Sequence, residues 1–184
     1  AEGMQVVMAD IQQDALEQAA ASLQAAGNNN ILPIRTDVSI KEEIEALARK
    51  TMDQFGAVHL LFNNAGIMDW NDLNAVTSDS LEKVYRTNLI GALLVLRASV
   101  SCLRKSNQPL VVNLSSRLGS IGLRGNTQLG GAIAYQCSKA AINMLTKQAA
   151  IDLSTLGIRV ISLSPGWVKT EMGGIEAKYE VSES

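Results

Sequence analysis

Tyr135 and Lys139 are four residues apart in the run Tyr-Gln-Cys-Ser-Lys. If this run is helical, both side chains lie on one face of the helix, because residues four apart are neighbours on a helix surface. A tyrosine has an ordinary pKa of about 10, so near neutral pH it releases its proton only where the phenolate is stabilised. A nearby lysine ammonium supplies that stabilisation. The pair indicates a general acid/base catalyst, and the alternative interpretation of the spacing is a surface helix pair.

Composition and charge exclude several classes of function. The chain has 184 residues, of which 47% are hydrophobic and only 4% aromatic, so it fits a single domain over residues 1–184 with an aliphatic core. Eighteen acidic and sixteen basic residues give a net charge of −2. This balance offers no basic surface for nucleic acid or for an anionic membrane. We therefore expect small-molecule partners and no nucleic acid.

Metal sites and membrane spans are not predicted either. The two cysteines, Cys102 and Cys137, fall in no metal-ligand pattern, and the single His59 lies in an apolar run typical of a strand. No apolar stretch approaches the ~20 residues that span a bilayer. The chain also begins without the charged and apolar regions of a secretory signal. The resulting expectation is a cytoplasmic protein with no metal and no membrane association.

Apolar runs and helical patterns alternate along the chain, and they predict the elements that position these residues. The alternation of near-continuous apolar strands with helices predicts an α/β fold with a Rossmann-like, doubly wound parallel sheet and helices on both faces. Ser39 is the expected cap of the second helix. The predicted strands cover residues 5–9, 31–34, 58–62, 110–114 and 158–163, and the predicted helices are one ending at Gly27 and those over 41–55, 81–103 and 135–156.

Polar or turn-forming residues follow every predicted strand. Ligands on such sheets bind outside the carboxyl ends of the strands. Each of these segments is also ordinary turn chemistry taken alone, but five of them on one edge predict a ligand site there. They are Asp10, Asp37, Asn63-Asn64-Ala65-Gly66, Ser115-Ser116 and Ser164-Pro165-Gly166.

Five short motifs follow one another over nearly the whole chain: Asn63-Asn64-Ala65-Gly66, Asn88-Leu-Ile-Gly91, Asn113-Leu-Ser-Ser116, Tyr135-x-x-x-Lys139 and Pro165-Gly-Trp-Val-Lys-Thr170. In this order they resemble the short-chain dehydrogenase/reductase family. Residues 115–121 and 165–174 are also similar to the subgroup that contains the C-factor and sniffer-type carbonyl reductases. The resemblance implies an NAD(P)-dependent oxidoreductase that interconverts a secondary alcohol and a carbonyl by hydride transfer.

The resemblance also implies roles for individual residues. Tyr135 is the general acid/base, and Lys139 lowers the pKa of Tyr135 and holds the nicotinamide ribose. Ser116 bonds the reacting oxygen, and Asn88 holds a water in a proton relay. Ser115 is the alternative to Ser116. Successive side chains of a strand point to opposite faces, so only one of the two serines faces the substrate, and motif position favours Ser116.

Asp10 bears on the choice of cofactor. At the end of a strand, its carboxylate is placed to accept hydrogen bonds from the adenosine ribose and to repel a 2′-phosphate. NAD is therefore favoured over NADP, although the similar reductase subgroup often uses NADPH. The other residues that the resemblance places at the cofactor are Ile11, Asp37, Val38, Asn64, Ala65, Gly66, Tyr135, Lys139, Pro165, Gly166, Val168 and Thr170.

Two departures from the family pattern lead to further expectations. The family's Gly-rich phosphate-binding turn is absent before the first predicted strand, and the sequence stops before the family's last strand. We therefore expect an excerpt of a longer enzyme, without the central strand that the doubly wound order places between the first and third predicted strands. The interval from Ser116 to Tyr135 is long, and its glycine-rich part, 119–131, predicts an extended loop at the substrate entrance or a disordered surface excursion.

Other functions and an oligomer are also compatible with the sequence. One alternative is a non-catalytic nucleotide-sensing or scaffold protein, and the other is a dehydratase or epimerase, which usually needs a larger substrate domain. The apolar helices around 89–103 and 140–153 correspond to those that the family packs across subunit interfaces, so we expect a homodimer or homotetramer. The expected substrate is a small carbonyl or alcohol.

Overall fold

Parallel strands and α-helices alternate along the chain in the computed structural model, which describes residues 3–126 and 130–183. This order confirms the predicted α/β fold, and most element bounds lie within a few residues of the predicted ones. The strands are β1 (Val6–Asp10), β2 (Ile31–Arg35), β3 (Leu60–Asn63), β4 (Leu110–Leu114) and β5 (Arg159–Leu163), and the helices are α1 (Gln13–Ala25), α2 (Lys41–Phe55), α3 (Ser78–Tyr85), α4 (Ala92–Leu103) and α5 (Ile133–Asp152).

The strands form two parallel sheets. β1 pairs with β2, whereas β4 lies between β3 and β5. Over residues 3–126 and 130–183 no strand pairing joins β1 to β3, so each of these two strands is paired along one edge only. The backbone groups of an unpaired edge need another partner. The break falls between the first and third strands, where the sequence predicts that a central strand is missing.

The two faces of the three-stranded sheet differ in burial. Val111 of β4 and Val160 of β5 are buried, and they form the main core with Leu96 and Leu103 of α4. Successive strand residues point to opposite faces, so their neighbours lie on the other side of the sheet. There four apolar side chains of the outer strands β3 and β5 stay nearly half exposed, whereas Val112 of the central strand β4 is buried. The four are Leu60 (46%), Phe62 (44%), Ile161 (47%) and Leu163 (45%).

The helix predicted over residues 81–103 starts earlier and changes its winding. It begins at Ser78, where the Thr77 hydroxyl caps it by accepting a hydrogen bond from Ser80 N at 3.2 Å. Between α3 and α4, residues Arg86–Gly91 form a π-helical turn. Gly91 allows this turn to pack closely, because a Cβ there would lie 2.9 Å from Cγ2 of Val38. Such single π turns occur frequently at functional sites.

The same continuous helix, Ser78–Leu103, is long and apolar enough to cross a membrane by length and composition alone. In this respect the expectation that no apolar stretch approaches a membrane span is wrong. Leu96 and Leu103 are nevertheless 4% and 0% exposed and belong to the main core beside β4 and β5. The buried core helix of a globular domain meets the same length and composition criteria, so the finding is weak support for a span.

The start of α2 differs from the prediction. Ser39 does not cap this helix, because the N-cap residue is Ile40 and it provides no side-chain hydrogen bond. The Ser39 N–H instead donates to Oδ1 of Asp37 at 2.8 Å. Glu43, in the first turn of α2, reaches back and accepts a hydrogen bond from Asp37 N at 2.6 Å. The helix ends as predicted at Gly56, which has a φ of +73°.

The segment between β4 and α5 also departs from the prediction of an extended loop. It forms two short 3-10 turns, Arg117–Gly119 and Ile121–Asn126. Residues 127–129 of the predicted loop lie outside the described residues. The first turn lies directly against α5, since a Cβ on Gly119 would be 2.5 Å from the carbonyl carbon of Lys139.

Candidate functional site

β4 and α5 bring Ser116 and Tyr135 together. Ser116 follows β4 by two residues, and its hydroxyl caps the next turn by accepting a hydrogen bond from Leu118 N at 3.2 Å. Tyr135 lies in the first turn of α5 and is 7% exposed. A hydrogen bond joins its side chain to that of Ser116. Two hydroxyl groups therefore meet at the carboxyl end of β4.

Lys139 lies one helical turn beyond Tyr135 and is 4% exposed. Its ammonium Nζ donates to the carbonyl oxygen of Leu114 at 2.6 Å and lies 5.4 Å from the centroid of the Tyr135 ring. The end of β4 thus fixes the lysine, and the lysine lies beside the aromatic ring. The structure brings Ser116, Tyr135 and Lys139 into one cluster.

Burial moves the pKa values of this pair in opposite directions. Burial raises the pKa of Tyr135 above its ordinary value, and the hydrogen bond with Ser116 lowers it by a smaller amount. Burial also lowers the pKa of Lys139 from 10.5 to about 8. Both shifts favour the neutral form of the group, because a charged group loses solvation in the protein interior. The net shift in the pKa of Tyr135 is therefore upward, opposite to the direction that the sequence analysis predicted.

Asn88 lies in the π-helical turn and is 2% exposed. Its Oδ1 accepts a hydrogen bond from Ile67 N at 2.8 Å, and its Nδ2 donates to Ile67 O at 2.9 Å and to Oγ of Ser138 at 3.0 Å. The Ser138 hydroxyl in turn donates to the carbonyl oxygen of Tyr135 at 2.7 Å. Ser138 was not predicted as a site residue, although its position between Tyr135 and Lys139 on the helix was a usable signal.

The segment after β3 passes directly beside this cluster. A Cβ on Gly66 would lie 3.4 Å from Oδ1 of Asn88 and 3.7 Å from Nζ of Lys139, so the glycine keeps a small cradle open between the two side chains. Asn64 and Ala65, which precede it, are exposed. They are therefore accessible to a ligand at this edge of the sheet.

A buried amide network anchors the same segment to α5. Nδ2 of Asn63 donates to Oδ1 of Asn113 at 2.8 Å, and Nδ2 of Asn113 donates to the Thr146 hydroxyl at 2.9 Å. Asn113 is 1% exposed. Buried amides need such partners, because an unsatisfied polar group in the interior is costly. β3, β4 and α5 are thus fixed relative to one another below the site.

Asp37 and Val38 lie at the end of β2, next to the π-helical turn. A hydrogen bond from the Ser39 side chain, then one from Ser39 N, lowers the pKa of Asp37. Val38 contacts Gly91, three residues beyond Asn88. These contacts bring the predicted adenine-binding position towards the helix that carries Asn88.

Asp10 and Ile11 lie further away, at the end of β1 in the two-stranded sheet. Both side chains are exposed, and the Asp10 carboxylate accepts a hydrogen bond from Gln12 N at 2.8 Å. Arg35 is the neighbour of Asp10 on β2, but its guanidinium pairs with Glu43 at 3.0 Å. The Asp10 carboxylate is therefore open to a ligand but is not part of the buried cluster.

The segment after β5 turns back on itself. Gly166 has a φ of +90°, and Nε1 of Trp167 donates to Gly173 O at 2.8 Å. The Thr170 hydroxyl accepts a hydrogen bond from Gly173 N at 3.0 Å. Of the predicted cofactor residues here, Val168 is half-buried, whereas Pro165, Gly166 and Thr170 are exposed. This segment is a separate surface that begins at the carboxyl end of β5.

Comparison with known proteins identifies the family. A family model described as short chain dehydrogenase matches residues 1–180. An uncharacterized oxidoreductase of Mycobacterium bovis is 33% identical over 172 residues, which cover 94% of this chain and 66% of that protein. The C-signal protein of Myxococcus xanthus is 38% identical over 130 residues, covering 70% of this chain and 76% of that protein.

Structural comparison agrees with the sequence matches. The structure of NADPH-bound carbonyl reductase from chicken fatty liver superposes with a TM-score of 0.87 at 33% identity, covering 96% of this chain and 74% of that one. The chain thus spans about two thirds of the length of its Mycobacterium bovis relative. Sequence and structural matches lead to one conclusion: the chain belongs to the short-chain dehydrogenase family, within the Rossmann-like α/β fold.

Proposed function

We propose that this chain provides the catalytic and nucleotide-binding residues of an oxidoreductase that interconverts a secondary alcohol and a carbonyl with a nicotinamide cofactor. The observation that carries the proposal is the cluster at the carboxyl end of β4, in which half-buried Ser116 lies beside the buried side chains of Tyr135, Lys139 and Asn88. Ligands bind at this edge of such sheets. The family membership of the chain supports the same chemistry.

Tyr135 moves the proton in this proposal. Its raised pKa keeps the phenol protonated near neutral pH, which is the form that donates a proton to a carbonyl oxygen during reduction. In the reverse direction the phenol must lose its proton first, and the nearby Lys139 ammonium stabilises the resulting phenolate. Ser116 donates a hydrogen bond to the same oxygen and stabilises the charge that develops there.

In this proposal the side chain of Asn88 holds the backbone of Ile67 in place. Both N–H groups of its carboxamide are already donated, to Ile67 O and to the Ser138 hydroxyl, while its Oδ1 accepts from Ile67 N. A water of a proton relay would therefore find only acceptors at Asn88, namely Oδ1 and the backbone carbonyl oxygen. The side chain holds Ile67, and with it the segment that follows Gly66.

The nicotinamide supplies or accepts the hydride when it is bound. The open cradle at Gly66, between Asn88 and Lys139, fits the close passage of such a ligand. Lys139 would hold the ribose, and the exposed carboxylate of Asp10 would hold the adenosine ribose. The remaining proposed cofactor contacts are Ile11, Asp37, Val38, Asn64, Ala65, Pro165, Gly166, Val168 and Thr170.

The choice between NAD(H) and NADP(H) rests on Asp10. The related chicken carbonyl reductase binds NADPH, which points to the phosphorylated cofactor. The exposed carboxylate of Asp10 instead points to NAD(H), because it repels a 2′-phosphate. The neighbouring Arg35 offers little positive charge to a 2′-phosphate, because its guanidinium already pairs with Glu43 at 3.0 Å. We propose that NAD(H) is preferred.

Replacing Asp10 tests this preference. Asp10→Ser removes the carboxylate, so we expect the ratio of kcat/KM for NADP(H) to that for NAD(H) to rise about tenfold, equivalent to about 1.4 kcal/mol. Steady-state kinetics with both cofactors measure the ratio. Asp14→Ser, in the first turn of α1, is the matched control and should leave it unchanged. A wild-type preference for NADP(H) would contradict this role of Asp10.

We also propose a homodimer or homotetramer. The support is a set of apolar side chains that stay exposed on the long helix and on α5. Met144 and Ile151 are 69% and 55% exposed and are seven residues apart, which places them on one face of α5. Leu81 and Ile90, on the α3 helix and the π-helical turn, are also exposed. A second copy of the protein would cover these side chains.

The first test of the function is an activity screen with the full protein. Secondary alcohols with the oxidised cofactors, and ketones with the reduced ones, are followed by the near-ultraviolet absorbance of reduced nicotinamide. The proposal predicts turnover that requires both the alcohol or ketone and the nicotinamide cofactor. Cofactor binding without turnover of any substrate would favour a nucleotide-sensing or scaffold protein. Substrate conversion without net change of the cofactor would favour a dehydratase or epimerase.

A further inference from the structure

Asn143 ties the turn that carries Ser116 to helix α5. The Ser115 hydroxyl donates to Oδ1 of Asn143 at 2.7 Å, and Nδ2 of Asn143 donates to the carbonyl oxygen of Gly119 at 3.3 Å. One carboxamide therefore holds both ends of the segment 115–119. Ser116 lies between these two anchors.

The contact continues along the backbone of the helix. The Ser115 hydroxyl also lies 3.5 Å from the carbonyl oxygen of Lys139, and Gly119 packs so closely that a Cβ there would be 2.7 Å from that same oxygen. Tyr135, Lys139 and Asn143 follow one another at intervals of four residues and so share one face of α5. The helix face that carries the proposed acid/base pair thus also binds the Ser116 turn.

We propose that Asn143 is a positioning residue, which sets the Ser116 hydroxyl relative to Tyr135 and Lys139. This inference rests on the proposed function of the cluster. The hydrogen bonds of the Asn143 carboxamide join it to Ser115 and Gly119, so it acts on Ser116 through these two neighbours. Its effect follows from geometry, because a displacement of about 1 Å in a catalytic group costs up to about 10²-fold in rate. Ser115 is the partner through which it acts.

Asn143→Ala tests the inference in the full protein. Without the carboxamide the turn loses both anchors, so we expect kcat to fall about tenfold while the KM for the cofactor changes less than about twofold. Ser115→Ala removes one of the two bonds and should lower kcat by a smaller factor. The double variant should be no slower than Asn143→Ala alone, because the two substitutions remove the same interaction. Gln148→Ala, an exposed position on the same helix, is the control.

The outcomes separate positioning from a purely structural role. If Asn143→Ala lowers the melting temperature and leaves kcat within about twofold of wild type, the inference is overturned and the proposed function stands. Effects of the two single variants that multiply in the double variant also overturn it. If Asn143→Ala does not fold, Ser115→Ala decides alone, and an unchanged kcat rejects the inference. A wild-type protein without any turnover rejects the proposed function and this inference with it.

Discussion

Tyr135 and Lys139 show at the scale of single residues how one physical cause shapes a site. Burial alone raises the pKa of the phenol and lowers the pKa of the ammonium to about 8, so both groups are shifted towards their neutral forms. The spacing of the pair was readable in the sequence. The direction of the tyrosine shift was not, because it depends on how far the cluster is removed from water, and that follows from the packing of β4 against α5.

The shifted pKa of Lys139 has a consequence for stability. At low pH the Lys139 ammonium is charged in both the folded and the unfolded protein. Its burial in the charged form lowers the free energy of unfolding until the pH passes about 8. The cost disappears as the pH rises towards the ordinary value of 10.5, because the unfolded chain binds more protons between these two values. Stability attributable to this residue therefore increases with pH over that window.

Lys139→Met tests this consequence. The apolar side chain removes the buried charge but leaves Leu114 O without its donor, so we expect a net gain of about 2 kcal/mol in the free energy of unfolding near neutral pH and little gain above about pH 10.5. Urea unfolding at both pH values measures the gain. Lys147→Met, at an exposed position of α5, should show no such pH dependence. A Lys139→Met protein that is less stable than wild type near neutral pH would refute the account.

At the scale of elements, close contacts between backbones explain the geometry of the site. The π-helical turn brings the Asn88 side chain into hydrogen-bond contact with the backbone of Ile67. The absence of a side chain at Gly119 lets the first turn after β4 pack directly against the backbone of α5. Hydrophobic periodicity predicted the long helix but not its π turn. A single extra residue in the winding leaves the apolar pattern nearly unchanged, and the turn depends on contacts with residues more than twenty positions away.

Gly119→Ala is the element-scale prediction. Its Cβ would lie 2.5 Å from the carbonyl carbon of Lys139, and a helix backbone cannot yield, so the turn with Ser116 must move. We expect a loss of about 1–3 kcal/mol in the free energy of unfolding and a fall of at least about tenfold in kcat. Gly122→Ala, where a Cβ meets nothing within 4 Å, is the matched control. Chemical unfolding measures the free energy of unfolding of the two variants, and steady-state kinetics measure their kcat. Similar values for Gly119→Ala and Gly122→Ala would argue against the close contact between Gly119 and Lys139.

At the scale of the whole molecule, the described residues form two parallel sheets with a break between β1 and β3. The alternation of strands and helices was sufficient to predict the α/β class, and the resemblance to the family predicted the place of the break. The exposed apolar face of the three-stranded sheet was not predicted, because near-continuous apolar strands such as β5 read as buried on both sides.

The proposed oligomer gives a prediction at this scale. The double variant Met144→Asp with Ile151→Asp would place two charges in an interface formed by the exposed face of α5. We therefore expect this variant to sediment as a smaller species than wild type. Leu73→Asp serves as the control, because this side chain is 80% exposed and lies outside the helices. Analytical ultracentrifugation measures the mass. Identical sedimentation of the wild type and the double variant would rule out an interface at this face.

The most direct test of the central claim, that Tyr135 transfers the proton in a nicotinamide-dependent oxidoreduction, compares Tyr135→Phe with Tyr85→Phe in the full protein. Burial raises the pKa of both tyrosines, but only Tyr135 bonds Ser116 and lies beside Lys139. The account predicts that Tyr135→Phe lowers kcat by about 10²-fold or more with the cofactor still bound, while Tyr85→Phe stays near wild type. A Tyr135→Phe protein that keeps wild-type turnover would contradict the account.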